Sequence, residues 1–271
     1  MPDKIESYRD EQKSVLTVEA PLVVVSDIHL RQSDDERARL LIDLTERLGP
    51  SVEMFVLNGD IFDFCFGGGR YFREKFAAIG AALTTLSGRG VRVVFIEGNH
   101  EFHMDQIGWE GVAVVQERDF VVTLRSGAKI KLMHGDRLKN ERLYLAFRAF
   151  CKSKIVGYLS RFLPGKLLDA YAVAHSGYSR GQDKYRTLDH EEILGHFDRW
   201  MGAGEPPHGI IGHFHVPYAE PRRTGTGMML SVDSWDKPNA LTFEAGGFSR
   251  LSLTKPGEVY ARERVKPMLA P

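Results

Sequence analysis

Apolar positions follow two rhythms along the chain, and the rhythm changes after Gly111. Up to that point short β-branched runs alternate with helical stripes. Residues 22–25 read as a buried strand that closes on Ser26-Asp27. Leu40, Leu41, Leu44 and Leu48 recur at helical spacing and predict a helix over 34–48, with Ser33 as its N-cap. A strand over 54–57 ends at Asn58-Gly59-Asp60, a helix over 71–86 follows, and a strand over 91–96 ends at Gly98-Asn99-His100. Consecutive βαβ units of this kind have right-handed crossovers. Beyond Gly111 the strands are short: 112–115, 120–124 and 129–133, with Arg125-Ser126-Gly127 as a hairpin turn. Residues 137–186 are mainly helical in pattern, broken at Pro164-Gly165, and a further helix is predicted over 191–201. Strands return at 209–211, 218–221, 228–232, 240–243 and 248–253. The pattern predicts an α/β (α+β) chain of two mixed sheets packed together, interrupted by one helical insertion.

Composition narrows the class. The chain has 271 residues, 43% hydrophobic and 27% charged, which suits one large folded domain over 1–271 with an insertion at about 137–188. A domain of that size needs no disulfide or zinc staple. The two cysteines, Cys65 and Cys151, exclude a disulfide framework and fit a reducing compartment. The balance of 36 basic against 36 acidic residues excludes a globally basic nucleic-acid binder. No run approaches the roughly 18–20 apolar residues that span a bilayer. The first twelve residues are polar and charged with no apolar signal core, so a cytoplasmic protein is expected.

Five segments place Asp, His or Asn directly behind a predicted strand: Ser26-Asp27-Ile28-His29, Gly59-Asp60, Gly98-Asn99-His100-Glu101, His134-Gly135-Asp136 and Gly212-His213-Phe214-His215. Strand ends on one edge of a sheet are where α/β folds carry ligand sites, and glycine there lets the backbone approach a bound group. Each segment alone is a weak signal that an ordinary loop also gives, Gly-His-x-His being the strongest because neutral imidazoles are good transition-metal ligands. All five together point to metal chemistry. Asp27, His29, Asp60, Asn99, His134, His213 and His215 are more donors than one ion needs. Mixed imidazole, carboxylate and amide ligands suit Mn²⁺, Fe or Zn²⁺ better than Mg²⁺. Two divalent ions about 3.5–4 Å apart activate a water and clamp an in-line displacement at phosphorus.

The five blocks resemble the calcineurin-like metallophosphoesterase superfamily, whose pattern runs D-x-H, GD, GNH[ED], H and GHxH; all are present in order between residues 27 and 215. The resemblance implies a four-layer αββα double β-sandwich. It places Asp27, His29 and His215 on one ion and Asn99, His134 and His213 on the second, with Asp60 bridging. It also gives His100 the phosphoryl contact and the general-acid role. Mn²⁺ is the expected metal. Asp63, Asp136 and Arg148 are candidates to orient these ligands or to meet the substrate.

The chain is also similar to the UDP-2,3-diacylglucosamine pyrophosphatases of lipid A synthesis, through the HGD form of the fourth block, the run GDIFDFCFG, and Tyr144-Leu145-Ala146-Phe147-Arg148 in the insertion. Those enzymes split a diphosphate in a membrane-facing site under a helical cap inserted at this place. The similarity implies an anionic, amphiphilic nucleotide-sugar as substrate and a peripheral position on the inner face of the membrane. One departure is His100, where the well-studied members carry Arg. Within the superfamily, a phosphomonoesterase, a protein phosphatase or a nuclease would use the same seven ligands. A non-catalytic metal-binding interaction module is the alternative of another class, although degenerate members lose ligands and none is missing here.

The insertion carries eleven Lys or Arg between Arg137 and Arg186 against Glu141, Asp169 and Asp183, a net of +8 in a neutral chain. Apolar residues are interleaved among them. Two arrangements compete: basic side chains such as Lys152, Lys154 and Arg161 facing an anionic lipid or substrate, or an apolar face packed on the main body with the charges solvated. Gly67-Gly68-Gly69 lacks the Lys-Ser/Thr of a phosphate loop and is expected to be a mobile loop beside the site. Cys65 shows no sign of nucleophilic activation, and His103, His175, His190, His196 and His208 have no ligand spacing.

Overall fold

Strand β2 (Leu22–Val25) shows how the layers are assigned in the computed structural model. All four side chains are buried, but they alternate between two cores. Leu22 and Val24 join the apolar cluster between the sheets, whereas Val23 and Val25 join the cluster under the first helices. A strand buried on both faces has no polar positions, which explains the unbroken β-branched run. The structure describes residues 13–116, 119–139, 142–159, 161–162, 164–170, 190–204, 206–223, 226–244 and 247–266.

The larger sheet has the order β1 (Lys13–Val15), β15 (Tyr260–Arg264), β14 (Gly247–Ser252), β13 (Asn239–Glu244), β2, β3 (Met54–Asn58), β5 (Arg92–Ile96) and β7 (Val112–Val115). Strands β2, β3, β5 and β7 are mutually parallel, and the other half is antiparallel. The second sheet has the order β11 (Ala219–Pro221), β12 (Met228–Ser231), β10 (His208–Ile211), β9 (Lys129–Leu132) and β8 (Phe120–Thr123), with β9, β10 and β12 parallel. A two-stranded ribbon joins β4 (Cys65–Phe66) to β6 (Glu101–Phe102).

Helices cover both outer faces. On the larger sheet α1 (Glu36–Glu46), α2 (Arg70–Lys75) and α3 (Ala77–Gly88) bury Leu40, Leu41, Leu44, Phe72, Ile79, Leu83 and Leu86. On the smaller one the helix His190–Met201 buries Ile193, Leu194, Phe197 and Met201 against Met133, Ile211 and Met229. Between the sheets lie Val56, Val94 and Ile96 with Ile130, Leu132 and Ile210. The result is the expected αββα arrangement.

The elements differ from expectation where local chemistry intervenes. Asp35, not Ser33, caps α1, its carboxylate accepting the Ala38 N–H at 2.7 Å, while the Ser33 hydroxyl donates to the Lys75 carbonyl. The helix expected over 71–86 is two helices, broken at Phe76, whose φ of −109° leaves the helical range. Strands β1 and β15 pair with each other outside the predicted set. Gly67 is not a free loop residue: it is buried and its N–H reaches the Phe102 carbonyl at 2.9 Å.

The insertion contains α4 (Arg142–Cys151), α5 (Lys154–Leu159) and a helical turn over 165–170, so a second break falls at Lys152-Ser153. The remainder of the expected cap, with Arg180, Lys184 and Arg186, lies outside the described residues. The described residues mix the two expected arrangements: Arg142, Lys154 and Lys166 are exposed, whereas other polar side chains meet the main body. Arg148 reaches Asp136 at 2.6 Å, Lys152 reaches Glu97 at 2.9 Å, Arg161 pairs with Gln106, and Asp169 with Tyr71 and Lys75. Val156 and Leu168 pack on the main core, but Leu143, Phe147, Phe150, Ile155, Phe162 and Leu167 are exposed, Leu143 at 89%. Lys152 is therefore no surface charge; its side chain is 3% exposed.

Candidate metal centre

Every segment singled out in the sequence leaves the C-terminal end of a parallel strand. Asp27 follows β2, Asp60 follows β3, Asn99 follows β5, His134 follows β9 and His213 follows β10. The ladder continues past the strands and stitches the loops together. Asp27 N–H reaches Gly59 O at 3.0 Å, His29 N–H reaches Asp60 O at 3.0 Å, and Gly212 N–H reaches His134 O at 2.6 Å.

The backbone here is strained. Asp27, His29, Asp60, His213 and His215 all have φ between 51° and 70°, and among the described residues only His103 shares that left-handed conformation without being glycine. Such residues cost about 1–3 kcal/mol each and persist where the surroundings over-determine them. Two of the glycines make room for the donor side chains themselves. A Cβ on Gly98 would meet the Asp60 carboxylate at 2.2 Å, and one on Gly59, itself at φ 83°, would meet the His134 ring at 2.4 Å.

Two groups of donors result. Asp27, His29 and His215 form one; Asp60, His134 and His213 form the other, and within each the ligand atoms lie within 4.8 Å of one another. His29 and His215 face each other at 3.4 Å through Nε2, and His215 Nε2 is 3.3 Å from Asp27 Oδ1. In the second group His134 donates through Nδ1 to the Asn58 carbonyl, which points Nε2 at Asp60 Oδ2 (3.3 Å) and Asn99 Oδ1 (3.2 Å). His29, Asp60 and His100 make a third cluster joining the two. All seven donors named from the sequence are thus brought to one end of the sandwich.

The electrostatics suit divalent cations. Burial raises the carboxyls of Asp27 and Asp60, but the surrounding imidazoles outweigh it and hold both below the usual range, so both are anionic. Burial also drives His29 and His213 down to about 4, which keeps them neutral, the form that binds metal. His134 is pushed up to about 10 because Asp60 overrides burial. The oxygens that favour a proton at that nitrogen equally favour a cation. Ionised carboxylates and imidazole nitrogens in this proportion fit Mn²⁺, Fe or Zn²⁺.

His100 sits at the mouth. Its Nδ1 donates to the Asp63 carbonyl at 2.7 Å and its Nε2 lies 3.8 Å from Asp60 Oδ2. The Asp63 carboxylate pairs with Arg31 at 3.3 Å and lies 3.9 Å from His29 Nδ1. Asp136 turns toward the insertion, accepting from Tyr144 and Arg148 at 2.6 Å each. Sequence reasoning assigned no role to two residues of these segments. Glu101 is fully buried and accepts the N–H groups of Asp60 (2.9 Å), Phe62 (3.0 Å) and Gly98 (2.9 Å), joining two ligand loops. Burial, then Asp60, pushes its carboxyl up to about 7. Ser26 donates to Asp27 Oδ2 at 2.6 Å. Glu101 could have been found from its place directly behind Gly98-Asn99-His100; Ser26 left no such signal.

The chain is similar to several known proteins. The family model described as "Calcineurin-like phosphoesterase" matches residues 20–236. A UDP-2,3-diacylglucosamine hydrolase of Pseudomonas fluorescens (strain SBW25) is 25% identical over 234 residues, covering 84% of this chain and 93% of that protein. One of Neisseria meningitidis serogroup C (strain 053442) is 27% identical over 239 residues, covering 87% and 99%. Among solved structures, a Vps29 double mutant from Entamoeba histolytica covers 90% of this chain and 99% of its own at 15% identity, with a TM-score of 0.45.

Proposed function

The chain belongs to the calcineurin-like phosphoesterase family, and from that premise we propose that it hydrolyses the diphosphate of an anionic amphiphile of the UDP-diacylglucosamine type at a dinuclear centre. The observation that carries this reading is the convergence of six donors in two groups, with Asn99 against the second, directly beside a cap that exposes apolar side chains. Phosphoester or diphosphate hydrolysis follows from the family and from relatives named as hydrolases. The substrate, the ligand roles and the membrane contact are our assignment.

Asp27, His29 and His215 would hold one ion and Asn99, His134 and His213 the other, with Asp60 between them; Mn²⁺ is our choice. Divalent ions there supply Lewis acidity toward the phosphoryl oxygens and lower the pKa of a water. The chain's own residues do the rest. Glu101 and Ser26 hold the Asp60 and Asp27 loops in place. His100, oriented by the Asp63 carbonyl, presents Nε2 toward the centre, where it protonates the leaving phosphate oxygen as water adds to phosphorus. Burial opposes protonation of His100, but Asp60 and the Asp63 carbonyl raise its pKa overall, which keeps that proton available.

The insertion, taken as a cap over about 137–188, would meet the lipid. No described helix is long and apolar enough to cross a membrane. Leu143, Phe147, Phe150, Ile155, Phe162 and Leu167 of this one segment are exposed, more apolar surface than a soluble protein ordinarily leaves uncovered, and Arg142, Lys154 and Lys166 of the same segment are exposed too. Apolar side chains interspersed with cations suit the interface of an anionic bilayer. This would place the enzyme as a peripheral protein on a cytoplasmic membrane face.

The test is a substrate panel for the Mn²⁺-loaded protein: UDP-2,3-diacylglucosamine, a soluble phosphodiester, a phosphomonoester and single-stranded DNA. The acylated UDP-sugar should have the highest kcat/KM by at least about a hundredfold, a factor within the reach of a few kcal/mol of differential binding. Preference for the monoester or for DNA would replace this reading with a phosphatase or a nuclease.

A further inference from the structure

The turn Gly98–Glu101 carries Asn99 and His100, yet its upstream support comes from the insertion. Lys152, between α4 and α5, places its ammonium 2.9 Å from Glu97 Oε2 and 2.9 Å from the Gly98 carbonyl. The pair is sealed: the Lys152 side chain is 3% exposed and that of Glu97 0%. Glu97 Oε1 accepts the Met104 N–H at 2.6 Å and the Gln116 amide at 2.9 Å, so one carboxylate ties both ends of the turn to the cap. Beside it His103, strained at φ 56°, donates through Nε2 to the Cys151 carbonyl at 3.1 Å. Gly157 closes the contact, since a Cβ there would lie 2.7 Å from the His103 ring. A surface cation needs none of this enclosure, and a cap that only covered substrate could dock anywhere on the rim.

We propose that Lys152 is a positioning residue for the metal-bearing turn, a latch through which the cap sets the placement of Asn99 and His100. The proposal rests on the metal-centre reading above. Displacing the cap withdraws the donor from the Gly98 carbonyl and leaves Glu97 buried without its cation. The turn then loosens, and the Asn99 ligand with it. Cap and centre therefore act as one unit.

The experiment compares Lys152→Met, Lys152→Arg and the double variant Lys152→Met/Glu97→Gln, with Lys139→Met as control. Lys139 is a cation of the same segment that pairs at 3.1 Å with Glu192, away from the turn. In metal-free protein, amide hydrogen exchange across 97–104 should accelerate in Lys152→Met and not in Lys139→Met. In calorimetric titration, Lys152→Met should weaken Mn²⁺ binding by about tenfold, the low end for loss of a residue supporting a ligand. It should also lower kcat on bis(4-nitrophenyl) phosphate with little change in KM, a substrate too small to need the cap. Lys152→Arg should recover part of both. The double variant removes the buried charge, so it folds even where Lys152→Met does not, and it should keep the loss because Gly98 still lacks its donor. Unchanged exchange across 97–104, or Mn²⁺ affinity and kcat within twofold of the parent protein in a folded variant, would overturn the latch. A parent protein that takes up no Mn²⁺ would instead overturn the metal centre, while the exchange measurement would still decide the latch.

Discussion

The strand-end loops and the cap solve opposite problems with the same kinds of side chain. In the loops, polar groups converge on each other from five strand ends, and the apolar residues behind them, such as Val25, Leu57 and Ile96, are buried. In the cap, polar groups reach down to acids and amides of the main body while Phe147, Phe150 and Phe162 face outward. The loops are built inside-in and the cap inside-out. Burial organises the first; ion pairs with distant partners organise the second. A buried pair such as Arg148–Asp136 contributes little net stability, but losing one partner costs about 3–5 kcal/mol because a charge is stranded. Such pairs therefore specify which way the cap faces more than they stabilise it.

The contrast predicts a ranking of losses. Asp60→Asn should abolish turnover and lower metal content with the fold intact, because it removes the carboxylate common to two of the donor clusters while the core strands stay unchanged. Metal analysis and circular dichroism together check it. Two ions at full occupancy with normal turnover would remove the loops' special status. His100→Ala should retain both ions and slow turnover roughly 10²- to 10⁴-fold, the range for a lost general acid. The loss should shrink with good leaving groups, and metal content falling in step with rate would make His100 a ligand instead.

A smaller effect should come from the cap's outer side. Replacing Phe147, Phe150 and Phe162 with Ser should weaken binding to anionic vesicles by at least about a hundredfold, since burying each ring is worth roughly 1.5 kcal/mol or more. Lys154→Glu with Lys166→Glu should cost about tenfold or more, at about 1 kcal/mol for each charge neutralised near the surface. Hydrolysis of a soluble phosphodiester should continue in both, and co-sedimentation alongside a rate assay separates the two readouts. Vesicle binding that depends on the lysines but not on the rings would reverse the comparison and make the cap an electrostatic surface.

Much of this was legible beforehand. The five blocks and the parallel strands that carry them are local matters: an apolar run followed by Asp, Asn or His keeps its meaning wherever it sits, and a strand buried on both faces announces itself by lacking polar positions; the αββα layering rested on the family resemblance. The N-cap of α1 was misread by two residues because Ser33 and Asp35 are both good caps, and only the Lys75 carbonyl, 42 residues away from Ser33, decides between them.

Side-chain identity and order along the chain already mark the residues able to hold a metal, since both survive any rearrangement of loops. Tertiary structure decided which face of the cap meets water. Net charge and amphipathic spacing are the same whether the insertion turns its charged side chains in or out; the choice lies with Asp136 at its edge and with Glu97 and Lys75, which stand 55 and 94 positions before their partners Lys152 and Asp169. Glu101 belongs with these. Its side chain gathers the N–H groups of Asp60 and Phe62 from about 40 positions away, and an interaction between loops has no periodicity to be read.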